Sequence, residues 1–217
     1  MSTALREARF DADGPLDPVG LRQARDAAPA FPAGRHALSS PSARCAATAG
    51  ALGLKADPVP GLAGCAMGRW TGRTLTEVAA VEPDALAGWL ADPAVAPHGG
   101  ESLLEFLARV GSWLDGLTSD RLASDRLATD RLATDRLTTD GTSTDGTRTD
   151  EAGSAVRGPL LAVVEPDVVR AAVLHALGVP GPAFWRLDVR PLSVTELSGR
   201  AGRWNVRCGG PADGAAG

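Results

Sequence analysis

The segment that most restricts this chain is Pro159-Leu-Leu-Ala-Val-Val164, an unbroken apolar run that passes through Glu165 directly into Pro166. A strand with one wet face alternates apolar and polar residues, because successive side chains point to opposite faces. A strand that is apolar at every position must be covered on both faces, as a central strand of an α/β sheet is. Residues 166–177 then read as an apolar helix, opened by Pro166 and stopped by Gly178 and Pro180. Strands alternating with helices predict an α/β sandwich.

The other elements fit that pattern. Asp17-Pro18 joins a capping acceptor to a proline at the first helical position, which predicts a helix over 18–30. Arg35 to Ser39 reads as a short strand. Ser40-Pro41 repeats the cap-plus-proline signal and opens a helix to about Leu52, where Gly53 ends it. Short helices are expected at 74–80 and 83–91. Ser102 to Leu117 is the clearest amphipathic helix, with Leu103, Leu104, Phe106, Leu107, Val110, Trp113 and Leu114 on one broad face. Strands are expected at about 185–190, 193–198 and 203–207. The five tryptophans (70, 89, 113, 185 and 204) are read as core residues.

One segment obeys neither period. From Thr118 to Ala152 the chain repeats every five residues, with Asp at 120, 125, 130, 135, 140, 145 and 150. Leu122, Leu127, Leu132 and Leu137 would step about 140° around a helix, so they form no face. The reading is a flexible or frayed-helical low-complexity insertion, the alternative being a β-solenoid. Eight acidic residues against five arginines make 118–151 the most charged part of the chain. Residues 1–117 and 153–210 then form one domain, with 211–217 as a flexible tail.

With 217 residues and a net charge of −4, the chain has no basic excess for nucleic acid. No apolar run reaches the roughly 18–20 residues that span a bilayer, and the first residues lack the basic and apolar regions expected of a signal peptide. Three scattered cysteines, Cys45, Cys65 and Cys208, give no disulfide framework, which fits a cytoplasmic location. Together with His36, His98 and His175 they show no metal-ligand spacing. Phosphate-cradling glycine motifs and the G-x-S-x-G elbow are missing too. No metal and no cofactor are expected.

Five segments, in order, resemble the histidine phosphatase superfamily, whose fold is phosphoglycerate-mutase-like. PLDPVGLRQA (15–24) is similar to the family's Asp-x-Pro-Leu-Thr-x-x-Gly-x-x-Gln-Ala helix start. LSSPSARCAATA (38–49) is similar to Ser-Ser-Pro-x-x-Arg-Ala-x-Gln-Thr-Ala, and MGRWTGRTLTEV (67–78) to Phe-Gly-x-Trp-Glu-Gly-x-Thr-x-x-Glu. PHGGES (97–102) resembles Pro-x-Gly-Glu-Ser, and 160–180 resembles the strand and helix that carry the family's second catalytic histidine. The resemblance implies a three-layer sandwich with a mostly parallel central sheet, here with its first strand missing.

It also implies a chemistry: one histidine attacks a phosphoryl group, a second histidine and arginines neutralise its charge, and a carboxylic acid protonates the leaving oxygen. Carried over position by position, the machinery is depleted. The nucleophile belongs to an Arg-His-Gly motif upstream of the first helix, and no histidine precedes His36. The acid position is Gly64 and the second-histidine position is Glu165; only the phosphate-binding arginine survives, as Arg44. Ser40, Glu101 and Glu165 are the candidate pocket residues, with Arg44 as the phosphate ligand. Arg44 also reads as an ordinary ion-pair arginine, His175 as a packing residue, His98 as a solvated loop residue, and Glu101 with Ser102 as a helix cap. Glu165 is expected to pair with Arg44 across the pocket.

The expected protein is a phosphatase relative that is catalytically impaired or inactive as written, a pseudophosphatase binding a ligand or partner. The alternative is an active phosphomonoesterase acting on a small phosphorylated metabolite, with a true start upstream of Met1. Neither reading implies a nucleic acid or membrane partner, and the sequence names no protein partner.

Overall fold

The computed structural model describes residues 9–10, 14–31, 34, 36–117 and 160–211. The repeat at 118–152 and residues 212–217 lie outside the described residues.

Two helices precede and follow the first strand. Helix α1 (Pro18–Ala27) begins where expected: Asp17 Oδ1 accepts the Gly20 amide at 2.6 Å, and Pro18 fills the first turn. Strand β1 (His36–Ser39) leads to helix α2 (Ala43–Ala51). That helix starts later than Ser40-Pro41 suggested. Ser42 is the cap, its Oγ accepting the Cys45 amide at 3.2 Å, while the Ser40 hydroxyl donates to the Leu62 carbonyl at 2.5 Å. Ser40 and Ser42 each offer a cap, and only tertiary contacts decide between them.

Strand β2 (Lys55–Pro58) was not anticipated, because its Lys-Ala-Asp-Pro sequence has no strand pattern. It is an edge strand, where charge and proline are tolerated. Helices α3 (Leu75–Val81) and α4 (Pro83–Ala91) follow, the first closed by a full capping box between Thr74 and Glu77. Helix α5 spans 103–117. Strand β3 (Ala162–Val163) and helix α6 (Pro166–Leu177) form the predicted strand-to-helix unit, with Gly178 as a left-handed C-cap at φ 62°.

The sheet is parallel, in the order β2-β1-β3. Its two faces carry different clusters. Ala37, Ala56, Leu161 and Val163 pack with Ala49, Leu52 and Leu54 beneath α1 and α2. Leu38, Ala162 and Val164 face the opposite cluster, built from Leu103, Phe106 and Val110 of α5 and Val168, Ala171 and Leu174 of α6. The apolar run is thus covered on both sides, which accounts for its lack of alternation. This is the three-layer α/β sandwich that the sequence implied.

The C-terminal part departs in one place. Residues 185–190 form no strand; Gly181–Arg186 is a 3-10 helix that buries Phe184 against Phe106, ring centroids 6.2 Å apart. The Gly-Pro pair at its start favours a turn over a strand. Strands β4 (Ser193–Arg200) and β5 (Arg203–Pro211) form an antiparallel ribbon separate from the parallel sheet. Trp204 ties the ribbon to α5, its Nε1 donating to Asp115 Oδ1 at 3.1 Å.

Candidate active site

In open parallel sheets the site lies beyond the carboxyl ends of the strands. Here β1 ends at Ser39 opposite Val163 of β3, so Ser40 and Glu165 leave the sheet side by side. The Glu165 amide reaches the Ser40 Oγ at 3.4 Å. Ser40 is 1% exposed, locked between that amide and the Leu62 carbonyl.

Arg44 lies in the first turn of α2 and points back over this junction. It is 8% exposed, and its Nη2 donates to Glu165 Oε1 at 3.0 Å. Ser42 Oγ donates to the same oxygen at 2.7 Å. A guanidinium and a hydroxyl therefore converge on one carboxylate oxygen. The expected Arg44–Glu165 pair is present. Cys45 adjoins it, and its thiol is pushed up to about 12, first by burial and then by the charge of Glu165. It is a neutral packing group.

A second cluster shapes the neighbouring loop. Arg109 of α5 grips both oxygens of Glu101, at 2.7 and 2.8 Å. The same guanidinium donates to the carbonyls of Gly61, Ala63 and Gly64 at 3.0–3.2 Å. Glu101 in turn accepts the Ala66 amide at 3.2 Å. Its carboxyl is held below the ordinary value, chiefly by Arg109. Glu101 is therefore not a helix cap; Ser102 alone is, exchanging bonds with Glu105. Asp167, in the first turn of α6, accepts the Cys65 amide at 2.8 Å through Oδ2. Gly64 faces that same oxygen.

The 66–68 and 98–100 backbones approach so closely that both need glycine. A Cβ on Gly68, which sits at φ 48°, would run into the His98 carbonyl, and one on Gly100 into the Ala66 carbonyl. This crossing buries His98, which is 2% exposed rather than solvated. Its ring lies 5.0 Å from Trp70 and 6.4 Å from Trp89. Nδ1 accepts the Gly100 amide at 3.0 Å, while Nε2 is buried with no hydrogen-bond partner among the described residues. Burial, and then the charge of Arg69, lowers its pKa.

The other histidines are also engaged elsewhere. His36 pairs with Asp57 at 2.9 Å on the surface. His175 packs against Gly111 of α5 as expected, half-buried in the last turn of α6, and its Nε2 also lies 3.1 Å from Asp115. Not all tryptophans are core, since Trp185 is 47% exposed. No metal-binding group of three or more His, Cys, Asp or Glu exists among the described residues, and no helix among them is long and apolar enough to cross a membrane. An apolar hollow of about 260 Å³ lined by Val173, Leu177 and Leu187 lies toward the other end of α6.

Three residues that shape the site were not singled out from the sequence: Ser42, Arg109 and Asp167. Arg109 had a faint signal, an arginine beside the apolar stripe of α5 and two turns after Glu101. Asp167 looked like an ordinary acidic residue at a helix start.

The sequence profile of the histidine phosphatase superfamily (branch 1) matches residues 3–128, and the chain belongs to that superfamily. Among solved structures, it is similar to "Mycobacterial hydrolase 1" at 24% identity and TM-score 0.66, covering 97% of this chain and 94% of that one. Mycobacterial glucosyl-3-phosphoglycerate phosphatase, solved with inorganic phosphate, aligns at 24% identity and TM-score 0.60 over 95% and 92% of the two chains. The alpha-ribazole phosphatase of Shigella flexneri aligns at 16% identity and TM-score 0.68 over 100% and 95%. No curated protein matches the chain. At these identities the solved structures establish the shared fold.

Proposed function

We propose that this chain is a non-hydrolytic member of the superfamily, whose pocket binds a small oxyanion-bearing metabolite without cleaving it. The observation that carries this reading is the double contact on Glu165 Oε1, from Arg44 and Ser42. A carboxylate in that position opposes a bound phosphate by about 4 kcal/mol per charge pair at 4 Å and an effective dielectric of 20. That exceeds the roughly 1 kcal/mol of a typical net hydrogen bond. The occupancy of the histidines supports the same reading. His36 pairs with Asp57, His98 is enclosed by tryptophans and His175 pairs with Asp115, so each histidine is engaged by other groups. Gly64 supplies no acid.

Hydrolysis of p-nitrophenyl phosphate tests it. The expected result is no turnover above that of Arg44→Ala. Turnover that disappears in Arg44→Ala would overturn the reading in favour of an active phosphomonoesterase, the activity named for two of the solved relatives.

A further inference from the structure

The contact between Arg44 and Glu165 has the composition of a filled site. Arg44 is 8% exposed, so its charge was carried out of water only because a partner meets it. That partner is met by a second donor, the Ser42 hydroxyl, at 2.7 Å. A cation and a hydroxyl converging on one oxygen is how proteins hold oxyanions. Resting on the reading above, we infer that Glu165 is a tethered stand-in for an external oxyanion, and that an external oxyanion enters the pocket only with uptake of one proton by Glu165.

The donors around the junction are already committed. Ser40 gives its proton to the Leu62 carbonyl, and Ser42 gives its own to Glu165 while accepting the Cys45 amide. Arg44 has Glu165 as a partner at 3.0 Å. An incoming anion must take over bonds that Glu165 now holds.

The charges around Glu165 make the exchange depend on a proton. From α2 it faces Arg44 and the neutral thiol of Cys45. On its own helix, Asp167 is a second carboxylate, anchored on the Cys65 amide. From α5, Arg109 is already matched by Glu101. A dianion added to ionised Glu165 would thus place a third anionic group beside Glu165 and Asp167, next to a guanidinium that Glu165 already holds. Protonation of Glu165 removes the competitor and returns Arg44 and Ser42 to the ligand. The balance is simple: one proton is taken from solvent onto a Glu165 oxygen, the Arg44 and Ser42 bonds to that oxygen break, and both re-form to the anion.

Calorimetric titration with sodium sulfate tests this, because sulfate itself does not titrate between about pH 5 and about pH 8. The wild-type affinity should weaken about tenfold per pH unit wherever Glu165 is charged. Its binding heat should vary with buffer ionisation as uptake of one proton requires. Glu165→Gln should bind sulfate more tightly, with a flat pH profile and no buffer dependence, and Arg44→Ala in that background should not bind. A flat wild-type profile overturns the inference without a variant having to fold. So does a failure of both wild type and a folded Glu165→Gln to bind sulfate. Hydrolysis of p-nitrophenyl phosphate would overturn the non-hydrolytic reading alone, so the two failures are distinguishable.

Discussion

A Cβ placed on Gly64 would stand 3.1 Å from Oδ2 of Asp167, the oxygen that accepts the Cys65 amide at 2.8 Å. The two positions therefore compete for one volume. Gly64→Ala should cost about 1–2 kcal/mol, as a tight contact that moves an anchored carboxylate does. In an Asp167→Ala background the same change should be neutral, or stabilising by about 0.4–1 kcal/mol through the stiffer unfolded chain. Urea unfolding of the four proteins measures the coupling, and equal effects in both backgrounds would count against it.

Gly111 presents a reversed helix-propensity effect. Glycine to alanine inside a helix normally stabilises by about 1 kcal/mol. Here the new methyl would run into the imidazole of His175, which pairs with Asp115. Gly111→Ala is expected to lower the melting temperature, and His175→Ala to restore the usual sign. A stabilising Gly111→Ala in the wild type would remove this account.

Removal of Arg109 should be among the more damaging single changes. Arg109→Ala leaves Oε1 of half-buried Glu101 without its Arg109 donor, leaves Oε2 only the Ala66 amide, and takes the same guanidinium from the carbonyls of Gly61, Ala63 and Gly64. About 2–4 kcal/mol of stability should go, and Arg109→Lys should recover less than half, since an ammonium lacks the planar fork. Glu101 is held below its ordinary 4.5 chiefly by Arg109. The stability from this pair is full above that value and declines as pH falls through the lowered one. A loss under about 0.5 kcal/mol in Arg109→Ala would show the clamp to be ornamental.

His98 gives an acid sensitivity at a milder pH. Its pKa lies below the ordinary 6.5 because burial disfavours the imidazolium. The unfolded chain therefore binds the proton first, so stability is full above 6.5 and declines as pH drops toward the folded-state value. Thermal melts across that window should show a slope that His98→Gln abolishes. A wild-type melting temperature that does not change there would refute it.

The fold was more legible than the site. The doubly apolar run announced a covered strand, and the cap-plus-proline pair at Asp17-Pro18 placed α1. The edge strand β2 was hidden because edge strands need no apolar pattern, and the Ser40–Ser42 stretch held more capping candidates than the helix could use. Matching positions to the family's motifs singled out Arg44 and Glu165, and charge alone suggested that they would meet. Arg109 and Asp167 act on backbone groups of a distant loop, and no local pattern records a partner forty to a hundred residues away. His98 was misjudged for a related reason. Two neighbouring glycines signal a loop, and here they serve a backbone crossing that seals the ring inside.

The division into a parallel sheet and a separate ribbon also sets how the molecule opens. Amide protons of β4 and β5 are bonded to each other rather than to the parallel sheet, and the ribbon leans on α5 through Trp204 and on α6 through β5, so they can be released without breaking the sheet's own hydrogen bonds. The Leu38 and Ser40 amides, bonded to β3 between two packed clusters, can be released only when those clusters part. Deuterium should enter residues 193–211 by a local event and reach Arg44's neighbourhood by a global one. The Arg44–Glu165 junction thus belongs to the slow half of the protein.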